Sequence, residues 1–152
     1  MTDQRVVDPT VFASTDPPTL AGARCTACGT VVFPAQDGCP RCSHRPLEPH
    51  RLAATGVVWT WTRQQFPPKP PFRCDGGAWS PLAIGYVDLG DVLVESWLLP
   101  ADRPWAIGDP VRLTTVPAWS DELGDVHTFA FEPVVGDDVG DDVRDDVGET
   151  PA

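Results

Sequence analysis

From Ala53 to Pro133 the chain runs in short apolar stretches broken by turn residues. They are GVVWTWTRQQF from Gly56, LAIGYVDL from Leu82, VLVESWL from Val92, VRLTTV from Val111 and VHTFAFEP from Val126. Period-two alternation reads each as a strand. In the first, Val57, Trp59 and Trp61 share one face, opposite Val58, Thr60 and Thr62; in the last, Phe129 and Phe131 alternate with Thr128 and Ala130. Leu89-Gly90-Asp91 is short enough to close a hairpin between the second and third strands. Five short strands without a long helical period predict a small barrel of OB type, because closure protects strand edges. Trp59, Trp61 and Trp97 are expected to pack within it. Trp79, Trp105 and Trp119, in connecting segments, are expected at the surface as interface anchors.

The preceding stretch, Arg24 to Leu52, has few large apolar residues and cannot hold together by burial alone. It carries Cys25-Thr-Ala-Cys28 and Cys39-Pro-Arg-Cys42, with ten residues between the pairs. A two-residue gap lets both thiolates of one tight turn face a single ion, and two such turns supply the tetrahedral sulfur set that zinc accepts. Gly29 follows the second cysteine of the first pair, where backbone amides turn toward sulfur; Ser43 takes that place in the second and is expected to be strained there. Iron in the same S4 cage, a pair of disulfides and a redox pair are the alternatives. Four protein ligands leave no open coordination position, so the predicted zinc is structural.

Composition sets the boundaries. The chain has 152 residues, 22 acidic and 11 basic, for a net charge of −11. Proline and glycine together number 31, which disfavours long helices. Residues 135–152 read VGDDVGDDVRDDVGETPA, with seven acids and one base, and are predicted to be a solvated acidic tail. The predicted organisation is an N-terminal arm over 1–23, a zinc ribbon over 24–52, an OB-fold over 53–134 and the tail over 135–152. Within the arm, Asp8-Pro-Thr-Val-Phe-Ala suggests one helical turn, with Phe12 and Leu20 as anchors. No run approaches the roughly 18 apolar residues of a membrane span, and the N-terminal residues have no apolar signal core, so a cytoplasmic location is expected.

Candidate chemistry beyond the cysteines is sparse. His44, His50 and His127 are the only histidines, and none pairs with a nucleophile motif; no G-x-S-x-G, P-loop or G-x-G-x-x-G occurs. No catalytic residue is assigned. Cys74, in a glycine-rich loop, is read as a free thiol without a role. Phe66-Pro-Pro-Lys-Pro-Pro-Phe-Arg73 forms a stiff extended segment whose Lys69 and Arg73, with Arg63 nearby, are candidate contacts for a phosphate-bearing ligand or an acidic partner.

Taken together, Arg24-Cys-x-x-Cys-Gly-x-x-x-Phe-Pro, Cys39-Pro-x-Cys, Gly56-Val-Val-Trp-Thr-Trp-Thr, the proline-rich stretch, Ile84-Gly-Tyr-Val-Asp-Leu and Ile107-Gly-Asp-Pro-Val-Arg-Leu resemble the zinc-ribbon plus OB-fold proteins associated with acyl-CoA enzymes. The resemblance runs from about Asp8 to Pro133. It implies a rubredoxin-like ribbon joined to an OB-fold in a small, non-catalytic subunit. Such a subunit stabilises a thiolase-like enzyme (a thiolase, an acyltransferase or a steroid side-chain aldolase) in a hetero-oligomer, and in some systems bridges to a hydratase. It further implies that the subunit helps enclose an acyl-CoA channel, and the basic cluster of Lys69, Arg73 and Arg63 is consistent with contacts to the CoA phosphates. The N-terminal helix of many members is expected to be shortened here to Asp8–Leu20, and the Asp-Asp tail departs from the family pattern.

Two other classes remain. Zinc ribbons and OB-folds also bind single-stranded nucleic acid, and residues 24–52 run basic by +2, but a net charge of −11 opposes a polyanion. A stand-alone acyl-CoA-binding protein is the third reading; the lack of a paired base and nucleophile disfavours turnover.

Overall fold

The computed structural model describes residues 4–72 and 79–135. Its strands are β1 (Phe12–Thr15), β2 (Pro18–Arg24), β3 (Val31–Val32), β4 (Glu48–Arg51), β5 (Thr55–Gln64), β6 (Leu82–Asp88), β7 (Leu93–Leu98), β8 (Pro110–Asp121) and β9 (Gly124–Pro133). The one helical element among the described residues is a single 3-10 turn, Pro9–Val11. No helix among them is long and apolar enough to cross a membrane.

Strands β5–β9 close into an OB-type barrel in the order β5-β6-β7-β9-β8, with β7 and β9 parallel at Trp97–Ala130 and Leu98–Phe131. All five sequence-predicted runs form these strands. The hairpin at Leu89-Gly90-Asp91 is present, with Gly90 at φ +96° and the Leu89 amide donating to the Val92 carbonyl at 3.1 Å. β8 extends beyond the predicted run to Asp121, where it turns tightly into β9 with Gly124 at φ +107°. Polar Ser120 and Asp121 hide this extension from an apolar pattern, because its ladder is held by backbone bonds rather than burial.

Val58, Val87, Val94, Leu98, Val111 and Phe131 fill the barrel, each under 2 % exposed. Gly85 lets β5 approach β6 closely: a Cβ there would lie 2.7 Å from the Thr60 carbonyl oxygen and from Leu98 Cδ1. Leu20, Val31 and Leu52, from the cysteine-bearing half, belong to the same buried cluster. The two sheets therefore share one core. A polar joint adds to it: Asp91 Oδ2, on the β6–β7 turn, lies 2.9 Å from His50 Nε2 on β4 and 3.5 Å from Arg24 Nη2 at the end of β2.

The N-terminal segment departs from expectation. Asp8 caps the predicted turn, its carboxylate accepting from the Thr10 amide at 2.9 Å and hydroxyl at 2.6 Å. A shortened helix through Leu20 does not form. Prolines 17 and 18 lack amide protons for a helix, and the chain folds instead as the β1–β2 hairpin, which seats Leu20 fully buried. β2 then pairs with β3 and β4, so residues assigned to the arm form the central strand of the ribbon sheet. Further upstream, the Val7 amide donates to the His127 carbonyl and the His127 amide to the Arg5 carbonyl, both at 2.8 Å, while Arg5 pairs with Asp121 at 2.8 Å.

Two tryptophan assignments are reversed. Val58, not its neighbours, points into the barrel, so Val57 and Trp59 lie on the outer face, 42 % and 54 % exposed, and the register shift between Val58 and Thr60 then turns Trp61 inward opposite Gly85. Trp105, expected at the surface, is 4 % exposed; its indole N–H donates to the Pro100 carbonyl at 3.1 Å, and the Arg103 guanidinium lies 4.9 Å from its ring centre. Trp61 packs against the core, and Trp79, Trp97 and Trp119 are half-buried. Arg73, Cys74 and the acidic tail beyond Val135 lie outside the described residues.

Candidate metal centre

β2 runs straight into the first cysteine loop, and β3, β4 and β2 hold that loop over the core. In the first knuckle the Cys25 amide donates to the Thr30 carbonyl at 2.9 Å, and the Gly29 amide to the Cys25 carbonyl at 2.9 Å. The second repeats the pattern: Cys39 N–H to His44 C=O at 3.0 Å, Ser43 N–H to Cys39 C=O at 2.9 Å. Gly29 has φ +75° and Ser43 φ +62°, so a serine is held in the left-handed conformation that its glycine counterpart adopts freely.

These two turns bring four thiols together. Cys25 Sγ lies 3.6 Å from Cys42 Sγ, Cys28 Sγ lies 3.6 Å from Cys39 Sγ, and all four sulfurs fall within 4.8 Å of one another. A tetrahedron with zinc–sulfur bonds of about 2.3 Å has sulfur–sulfur edges of about 3.8 Å, which these spacings fit. None of the four is disulfide-bonded. The donor set, four soft sulfurs and no carboxylate, suits a structural zinc ion.

Local polar groups prepare the thiols for a cation. The Thr30 hydroxyl, 3.1 Å from Cys28 Sγ, and the Thr30 backbone hold Cys28 down at about 6. Burial works against Cys39, yet backbone bonds from Cys42 and Arg41 outweigh it and lower that thiol too. At Cys42 the backbone bond from His44 lowers the thiol, but burial and the neighbouring sulfurs of Cys25, Cys28 and Cys39 prevail and push it up to about 12. The four groups thus compete for negative charge, which a divalent cation relieves. The sequence pattern alone does not mark Thr30, although its place two residues past Cys28 puts its hydroxyl within reach of sulfur. His44 stands outside the sulfur set: its Nε2 lies 3.1 Å from Thr26 Oγ1, tying the second knuckle to the first.

Of the candidate phosphate contacts, Arg63 and Lys69 are among the described residues and Arg73 is not. Arg63 Nη2 donates to the Ala101 carbonyl at 2.6 Å, and Lys69 is exposed on the proline-rich segment.

A four-thiol ribbon sharing a core with a five-stranded OB barrel defines a zinc-ribbon/OB-fold protein. Two family models match in that order, "ChsH2, rubredoxin-like zinc ribbon domain" over residues 13–48 and "ChsH2, C-terminal OB-fold domain" over residues 50–116. The chain belongs to the ChsH2 family. A DUF35 domain-containing scaffold protein of Methanocaldococcus jannaschii is 39% identical over 51 residues, a match spanning 33% of this chain and 36% of that protein. Among solved structures, a chain of the Ltp2-ChsH2(DUF35) aldolase is similar over 87% of this chain and 100% of its own length, with a TM-score of 0.61 and 25% identity.

Proposed function

We propose that this chain is a non-catalytic accessory subunit that binds and stabilises a thiolase-like, acyl-CoA-processing enzyme of thiolase or steroid side-chain aldolase type. The observation that carries the reading is the similarity, over 87% of the chain, to a chain of the Ltp2-ChsH2(DUF35) aldolase. The scaffold designation of the M. jannaschii relative supports it. In this role the zinc held by Cys25, Cys28, Cys39 and Cys42 fixes the ribbon against the barrel, and its four thiolates leave no position for substrate. The partner supplies the nucleophile and the base. The accessory chain helps enclose the acyl-CoA channel, with Lys69, Arg73 and Arg63 meeting the CoA phosphates, and a hydratase is a further partner of the assembly.

Affinity purification of the tagged chain from its native cells, followed by native mass spectrometry of the intact complex, tests the proposal. A thiolase-like or aldolase chain recovered at fixed stoichiometry, with acyl-CoA turnover that requires the partner, is the expected result. Recovery of the chain alone, or thioester turnover by the chain alone, would overturn it.

A further inference from the structure

The outer face of β5, β6 and β7 exposes an unusual set of side chains for a barrel surface. Trp59 (54 %), Val57 (42 %), Tyr86 (40 %) and Leu93 (37 %) are exposed, and the Trp59 and Tyr86 rings meet edge to face at 6.4 Å. The register makes them one patch: Val57 opposes Asp88, Asp88 opposes Leu93, Thr60 opposes Tyr86, and Tyr86 opposes Glu95. The backbone beside Trp59 is braced from a neighbouring turn, where the Val58 amide donates to the Asp109 carbonyl at 2.9 Å and the Gly108 amide to the Val58 carbonyl at 2.7 Å. That turn also carries Ile107, 73 % exposed. The four strand residues leave on the order of 300 Å² of mainly apolar side chain in solvent, comparable to the largest patch on a typical monomer.

Charge decides what covers it. Residues 57–61, 85–88 and 93–97 include Asp88 and Glu95 and no lysine or arginine. The Tyr86 hydroxyl donates to Glu95 Oε2 at 2.9 Å, which fixes the carboxylate beside the ring. Two copies of this chain meeting here would bring these carboxylates toward like charges, and a nucleic acid would meet the same repulsion. A different protein surface, apolar at its centre and edged with lysine or arginine, is complementary.

We infer that the outer face of β5–β7, centred on Trp59 and Tyr86, is the docking surface for the thiolase-like subunit. The inference rests on the accessory-subunit reading and assigns that reading a contact surface. Trp59 is the anchor, because it is the most exposed side chain of the four and tryptophan is enriched among the residues that dominate interfaces.

The test is calorimetric titration of the zinc-loaded full chain with the thiolase-like subunit identified by co-purification. Wild type is compared with Trp59→Ala, Trp59→Phe, Tyr86→Ala and, on the distant β8–β9 turn, Leu123→Ala; zinc content and melting temperature confirm that each is folded. Trp59→Ala and Tyr86→Ala are expected to weaken binding at least 30-fold, Trp59→Phe by less, and Leu123→Ala by under threefold. If both alanine variants bind within threefold of wild type, this surface is overturned and the accessory-subunit reading stands. If wild type binds no thiolase-like subunit, that reading falls and this inference with it. A wild-type homodimer dissolved by Trp59→Ala, or single-stranded RNA binding lost in that variant, would assign the face to another occupant and overturn the inference.

Discussion

Ser43 offers the sharpest test of how the knuckles are held. It sits at φ +62°, and its counterpart Gly29 at φ +75°, within the same pair of backbone hydrogen bonds. The left-handed conformation costs an L-residue about 1–2 kcal/mol. Replacing serine by glycine removes that cost but adds unfolded-chain entropy worth about 0.5–1 kcal/mol. The Ser43 side chain is exposed and hydrogen-bonds to nothing among the described residues, so its loss removes no other interaction. Ser43→Gly is therefore expected to stabilise the ribbon by about 0.5–1 kcal/mol, the balance of these two effects. Since zinc binding and ribbon folding are coupled, the gain is read as roughly threefold tighter zinc retention against a chelator, and as a higher urea midpoint. The reciprocal change isolates the cause. A Cβ at Gly29 would meet nothing within 4 Å, so Gly29→Ser should lose a similar amount through backbone conformation alone. The double variant should return close to wild type. If Ser43→Gly fails to tighten zinc retention, or if Ser43→Ala matches it, the backbone argument is wrong.

Other expectations follow from the same geometry. Cys28 is held at about 6 by Thr30, so its thiolate persists above that pH and proton competition for this ligand sets in as pH falls through it. Thr30→Val should raise the thiol toward its ordinary value and move acid-induced zinc release to higher pH, followed with a colorimetric zinc indicator; an unchanged release curve would refute the role of the hydroxyl. Phe131, 0 % exposed at the centre of the barrel, is expected to cost about 3–5 kcal/mol on truncation to alanine, measured by urea unfolding. Asp91→Ala removes the partner shared by His50 and Arg24, and is expected to lower stability by up to about 1 kcal/mol, since all three groups are part-exposed. A double-mutant cycle with His50→Ala measures the coupling, and additive losses would show that the joint holds nothing.

The sequence alone determined the parts. Two C-x-x-C pairs ten residues apart name a tetrahedral thiolate site because so short a spacing leaves few other arrangements, and the knuckle geometry confirms the role of Gly29. Alternating runs named the five barrel strands because period two is a local property of an extended chain with one buried face. The tertiary structure decided what depends on distant neighbours. Pro18–Arg24 has no strong pattern of its own, and becomes a central strand because β3 and β4 arrive to pair with it. Trp59 and Trp105 exchange their expected environments for a similar reason. One lies outside because its neighbour Val58 is the residue that fills the barrel, the other is drawn inward by a carbonyl at Pro100 and a guanidinium at Arg103. Thr30 becomes a partner of sulfur only when the knuckle closes. Local chemistry fixes which residues can act; register and long-range pairing fix which side chains meet the metal, the core or a partner.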